Sequence, residues 1–190
     1  MKKILCIDPG HGKSNRRLGV FDPGATYRHG GVLYKESEIV WEWALTLKYV
    51  FGMAGENAVL TRGSYDAESQ LSRRPQTASA LGATHLLSIH ANSGGGHGCE
   101  SFVWSMADDP CRHFAADALH ACIAATERPS RGVKRGSFAV LNPRNFSGPA
   151  TLLEVGFIDN DSDRARILER DVRVEFAERF LRYWKGEGVL

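Results

Sequence analysis

The sequence predicts a single α/β domain, a largely parallel, twisted sheet flanked by helices. Three observations carry this. Short apolar runs bounded by turn residues, at 3–8, 86–89 and 150–155, have the length of buried strands. Between them lie segments with apolar residues at helical spacing, and strands that alternate with helices pair in parallel. The length of 190 residues, with 43% apolar and 24% charged, is that of one globular domain. Those fractions exclude a disordered or collagen-like chain. A net charge of +2 gives no footprint for nucleic acid, and no run reaches the about 20 apolar residues of a membrane helix.

In chain order, residues 3–8 (Lys-Ile-Leu-Cys-Ile-Asp) form a strand stopped by Pro9-Gly10. Residues 9–35 are glycine-rich and irregular, a loop long enough to be functional. From Ser37 to about Met53, the residues Ile39, Val40, Trp43, Ala44, Leu47, Val50 and Phe51 recur at helical spacing, ending at Gly52 and Gly55. Trp41 and Trp43 are two apart and cannot both face the core, which leaves Trp41 toward the surface. Residues 58–61 are a strand, 75–81 a short helix, and 86–89 and 101–104 two further strands. Asp109 as N-cap and Pro110 at the first position open a helix to about Thr126. Residues 137–141 and 150–155 complete the strands. The alternation of acid, base and apolar side chains over 162–184 reads as one or two salt-bridged surface helices. Arg128, Arg131, Lys134 and Arg135 read as a solvated basic loop.

Cys6, Cys99, Cys111 and Cys122 show no CxxC spacing. Cys111 and Cys122 lie about 16 Å apart on one helix and cannot pair, so neither a disulfide framework nor a thiolate metal knuckle is expected. Cys99 begins a strand and reads as a buried structural thiol. His29 and His97 fall in glycine-rich loops, and His113 and His120 on one helix read as surface residues. Lys2-Lys3 is followed by only four apolar residues before Asp8-Pro9, too few for a secretory segment. The chain is therefore expected to be made in the cytoplasm.

In open α/β sheets, ligands sit at the carboxyl ends of strands. His11 follows the first strand, His90 ends the strand at 86–89, and Glu154 lies near the end of the last; Glu36 stands before the first helix. Two imidazoles and a carboxylate make a zinc set with one position open for water, and a second carboxylate is the general base such hydrolases need. Each residue also has a plain structural reading. A lone histidine at a strand end is commonly a hydrogen-bonded core residue, and Glu36 suits the helix dipole. Glu154, inside an apolar run, is costly to bury without a charged or hydrogen-bonded partner. The residues by themselves leave both readings open.

Taken together, Ile7-Asp8-Pro9-Gly10-His11-Gly12, Ser88-Ile89-His90-Ala91-Asn92 and Pro149-Ala150-Thr151-Leu152-Leu153-Glu154-Val155-Gly156-Phe157 resemble the zinc-dependent N-acetylmuramoyl-L-alanine amidases of the type 3 family, which includes cell-wall amidases and phage endolysins. Thr61-Arg62 with Asp66, Leu71 with Arg74 and Ala78, Gly132-Val133-Lys134 and Val140-Leu141 agree in order. The resemblance runs from residue 3 to about 168. It implies that His11, Glu36 and His90 bind one Zn²⁺ per chain and that Glu154 is the catalytic carboxylate. Tyr34-Lys35-Glu36 matches the family pattern better than Glu38 does, although the loop from Lys13 to Lys35 is longer than the family's; Ser79 and Asn142 stand where an asparagine and an arginine are common. It further implies hydrolysis of peptidoglycan between N-acetylmuramic acid and L-alanine, leading to wall lysis; a monomer that does not enter the membrane is expected. Residues 1–190 would be one catalytic domain with no separate wall-binding domain, reaching the wall by a holin-type or other non-signal route. The competing expectations are a zinc carboxypeptidase or other peptidoglycan peptidase on a related scaffold, and a non-catalytic wall-binding module.

Overall fold

The computed structural model describes residues 2–187; Met1 and residues 188–190 lie outside the described residues. Strand β1 (Ile4–Pro9) leads into two small hairpins, β2 (Gly12–Lys13) with β3 (Phe21–Asp22) and β4 (Thr26–His29) with β5 (Val32–Lys35). Helix α1 (Glu36–Met53) and strand β6 (Asn57–Leu60) follow, then a 3₁₀ turn at Leu71–Arg73 that runs into α2 (Arg74–Ala80). Next come β7 (His85–Asn92), β8 (Cys99–Trp104), α3 (Asp109–Thr126), β9 (Ser130–Gly136) and a 3₁₀ turn at Ala139–Leu141. Strand β10 (Ala150–Phe157) and helices α4 (Asp161–Leu168) and α5 (Arg170–Lys185) complete the chain.

One six-stranded sheet has the order β6-β1-β7-β10-β8-β9. Its ladders are parallel except that between β10 and β8, which gives the expected α/β architecture a reversed edge. From β1 the chain crosses to β6 on one side and then returns to β7 on the other. The order therefore switches between β1 and β7, where a crevice opens at the strands' carboxyl ends.

The period of two in each strand divides the residues between the sheet's faces. Leu5, Ile7, Leu87, Ile89, Leu153 and Val155 face α1, α3 and α5 in the larger core with Trp43, Phe51, Phe176 and Phe180. Cys6, Leu86, Ala150 and Leu152 face the other way, toward Ala78, Val140, Leu141 and Phe146. By the same alternation Asp8, Ser88, His90 and Glu154 share this second face. Trp43 is fully buried and its Nε1 donates to the Ile167 carbonyl at 2.9 Å, whereas Trp41 turns outward beneath the Arg62 guanidinium, 5.1 Å from its ring centroid.

Four expectations need correction. Residues 137–141 are not a strand: the edge strand is β9, which takes up Arg131, Lys134 and Arg135 of the basic residues expected in a loop, while Ala139–Leu141 is a 3₁₀ turn. The region 9–35 is not uniformly irregular, since it folds into the two hairpins. The cap of α3 is Asp108, whose Oδ1 accepts from the Cys111 amide at 3.1 Å; Asp109 and Pro110 are already helical. Helix α5 is more than a surface helix, because Val172, Phe176, Phe180 and Trp184 recur every four residues and bury one face against α1 and α3.

At the end of the sheet opposite the crevice, the His85 ring lies between Phe114 and Trp184, 5.0 and 4.8 Å from their centroids. Burial, with the Lys3 charge adding, pushes its pKa down to about 4. The unfolded chain then binds this proton from about pH 6.5 downward while the fold refuses it until about 4, so stability falls as pH drops through that window. His85→Leu is expected to lose this part of the slope. Thermal unfolding of both proteins between pH 7 and 4 checks it; identical slopes would show that His85 does not contribute.

Candidate metal centre and active site

The site is assembled at the switch between β1 and β7. His11 follows β1 in a left-handed conformation (φ 60°), which is costly for a residue with a Cβ. Two buried guanidinium groups hold it there. Arg62 Nη1 and Arg74 Nη2 each donate to the His11 carbonyl at 2.5 Å. Arg74 is itself fixed by Asp8, whose carboxylate accepts from Arg74 Nη1 at 3.2 Å, Thr61 Oγ1 at 2.6 Å and Ser88 Oγ at 2.8 Å. Burial acts to raise the Asp8 pKa, but these donors outweigh it and hold the carboxyl below the usual range.

His90 ends β7 and packs on Gly10: a Cβ at Gly10 would stand 2.7 Å from His90 Nε2, so only glycine fits. Glu36, 4% exposed, is the first residue of α1. Loop carbonyls bind the helix's first amides, Glu36 to Ala25 O and Ser37 to Pro23 O, which fixes where the carboxylate emerges. Gly24 (φ 70°) lies against that carboxylate; a Cβ there would stand 2.5 Å from Glu36 Oε2.

The three side chains converge. Glu36 Oε2 is 3.0 Å from His11 Nε2, and Glu36 Oε1 is 2.9 Å from His90 Nδ1. One donor atom from each residue lies within 4.8 Å of the others, a group that could hold a metal ion. Donors about 2.1 Å from a tetrahedral zinc stand roughly 3.4 Å apart, inside the 4.8 Å that bounds the donor atoms here. The Ala25 and Ala91 amides also donate to Glu36, at 2.8 and 3.0 Å. Burial acts to raise the Glu36 pKa, yet both imidazoles hold it well below the usual carboxylate range. Burial acts to lower that of His11, but Glu36 and Asp22 outweigh it and raise it. Behind His11, Asp22 Oδ2 lies 3.2 Å from Nδ1 and also accepts from Asn15 Nδ2 at 2.6 Å. A carboxylate on the far nitrogen of a histidine is the usual second partner of a metal-binding imidazole.

Glu154 is the register partner of His90 in the β10–β7 ladder and lines the same cleft, a cavity of about 450 Å³ that also takes in His11, Glu36, Asn92 and Phe138. Its Oε2 is buried with no hydrogen-bond partner among the described residues. Burial pushes its pKa well above the carboxylate range, and the charges of Glu36 and Glu100 add to this. Glu154 is thus a carboxyl group of high proton affinity beside a donor set suited to a cation.

A family model described as N-acetylmuramoyl-L-alanine amidase matches residues 5–182. The chain belongs to the N-acetylmuramoyl-L-alanine amidase family. It is 37% identical over 169 residues to the sporulation-specific N-acetylmuramoyl-L-alanine amidase of Bacillus subtilis (strain 168), covering 88% of this chain and 60% of that protein. It is 33% identical to the endolysin of Bacillus phage SPP1, covering 90% and 60%. The chain thus spans less than two thirds of the length of these relatives. Among solved structures, the catalytic domain of the amidase CwlV from Bacillus (Paenibacillus) polymyxa superposes with a TM-score of 0.80 at 28% identity, over 97% of this chain and 98% of that one.

In this amidase-family chain the structure gathers all four residues singled out in the sequence, His11, Glu36, His90 and Glu154, around one cleft. Glu38 points elsewhere, half exposed and paired with Lys35 at 2.7 Å. His29, His97, His113 and His120 are exposed and outside the cluster, and Cys99 is fully buried. Sequence reasoning passed over Asp22, which orients His11, and Glu100, the register partner of Glu154. Asp8 carried a signal, as a charge inside an otherwise apolar strand. Asp22, the last residue of β3 in the long loop's first hairpin, carried none.

Proposed function

We propose that the chain hydrolyses the amide between N-acetylmuramic acid and the L-alanine that begins the peptidoglycan stem peptide. In this reading one zinc ion is held by His11, Glu36 and His90, and Glu154 moves the proton. The observation that carries it is the convergence of Glu36 on both histidines, one carboxylate oxygen to each. The donor chemistry fits: two imidazole nitrogens and a carboxylate leave one coordination position open. When bound, zinc polarises an amide carbonyl and lowers the pKa of a coordinated water from about 16 toward about 7.

The chain's own residues do the rest. Asp22 accepts the His11 Nδ1 proton, so the Nε2 lone pair points at the donor cluster. The Arg62 and Arg74 guanidiniums keep the His11 backbone in place, so the imidazole does not drift when substrate enters. Glu154 accepts the proton of the attacking water and returns it to the leaving nitrogen, a role that suits its raised proton affinity. A module that only bound the wall would not need such a carboxyl in the cleft. Opening this bond along a wall detaches the cross-linking peptides from the glycan, and that leads to lysis.

Chelator-treated protein, verified metal-free, is expected to release no amine from peptidoglycan, and Zn²⁺ at one equivalent to restore release. Undiminished hydrolysis by the metal-free protein would remove zinc from the account.

A further inference from the structure

We propose that Lys134 and Arg131 of β9, gathered on Glu100, receive a free carboxylate of the stem peptide. The inference rests on the peptidoglycan reading above and names a charge its substrate must carry. Glu100 is 4% exposed and stands opposite Glu154 in the β8–β10 ladder. Residues directly opposite on antiparallel strands share a face, with Cβ atoms about 5 Å apart. Glu100 Oε1 accepts from Asn92 Nδ2 at 2.7 Å, and Asn92 lines the cleft. Glu100 Oε2 accepts from Arg131 Nε at 2.9 Å and from Lys134 Nζ.

Two cations therefore meet one carboxylate, and neither has another acidic partner among the described residues. One positive charge is left over, on side chains 35% and 40% exposed. Aromatic rings fix their aim: Arg131 lies over Phe157 at 5.0 Å and Lys134 over Phe102 at 5.9 Å. Phe102 in turn meets Phe138, a wall of the cleft, with ring centroids 4.9 Å apart. The cluster is thus continuous with the cleft on the Glu154 side.

Geometry says which part of the substrate reaches it. From β10 across β8 to β9 is two strand spacings, about 10 Å. An extended peptide spans that distance in about three residues. The glycan side offers neutral sugar rings, so the anion is the carboxylate of the second or third residue counted from the scissile nitrogen. An amidated residue there leaves the surplus charge unanswered.

The test uses zinc-loaded protein and muramoyl peptides whose second and third residues carry either free carboxylates or carboxamides, with released amine as readout. Wild type is expected to favour the acid form by about tenfold in kcat/KM, mainly through KM, as one charge-assisted hydrogen bond would give. Lys134→Met is expected to bring the acid-to-amide ratio to about one, and Lys134→Arg to keep it. A wild-type ratio of one, with both peptides cleaved, overturns the inference and leaves the amidase reading standing. So does a ratio that Lys134→Met leaves intact while the variant loses retention on walls bearing phosphate polymer, which would assign the cluster to that polymer. Cleavage of neither peptide by the loaded enzyme overturns both.

Discussion

Glu154→Gln is expected to bind its metal as wild type does and to lose about 10²–10⁴ in hydrolysis rate, the usual worth of a general base. The replacement keeps the side chain's shape and its place in β10 while removing basicity. The reason to expect a clean separation is positional. His11, Glu36 and His90, the group that could hold a metal ion, converge without Glu154, whose Oε2 lies buried in the same cleft with no hydrogen-bond partner among the described residues. Metal content by mass spectrometry of the intact protein, measured beside the rate, checks both halves. Loss of metal would make Glu154 a ligand, and an unchanged rate would make it structural.

The second large effect lies beneath the site. Arg74→Met is expected to destabilise the protein by about 3–5 kcal/mol, because it leaves the fully buried Asp8 carboxylate with hydroxyl donors but without its salt-bridge partner. For a chain of this size that corresponds to a fall in Tm of about 10 °C. The sign with pH is specific. Wild-type Asp8 has a lowered pKa, so its pairing stabilises the fold above the unfolded carboxylate pKa and is lost as pH falls through the folded value. In Arg74→Met, protonation of Asp8 relieves the uncompensated charge, so the deficit against wild type narrows toward low pH. Thermal unfolding of both proteins across the acid range measures this. A variant within 1 °C of wild type at neutral pH would show that Arg74 does not support the His11 loop.

What the sequence disclosed follows from where its signals are local. The runs in β1, β7 and β10 are apolar because those strands are covered on both faces, and they were legible. β9 was not, because an edge strand exposes its side chains, and Ser130–Gly136 carries two glycines and three basic residues. The burial of α5 was masked by its charges, although Val172, Phe176, Phe180 and Trp184 kept a strict spacing of four. In the site, His11 and His90 stood out because each directly follows or ends an apolar run. Glu36 is brought beside them only by folding of the two hairpins, so its place before α1 made it a candidate but no spacing in the chain chose it over Glu38, and the family resemblance had to. Asp22 and Glu100 act through neighbours that are distant in sequence or lie across a ladder, and local pattern is silent about both.

Which bond this cleft opens is read from the mass spectrum of purified peptidoglycan digested by the zinc-loaded protein. The expected products are stem peptides with a free L-alanine amino terminus and glycan strands whose muramic acid keeps its lactyl carboxylate, with neither formed when Glu154→Gln is used. Peptides cut between two amino acids, or glycan cut between sugars, with the muramoyl–alanine bond intact, would contradict the amidase reading.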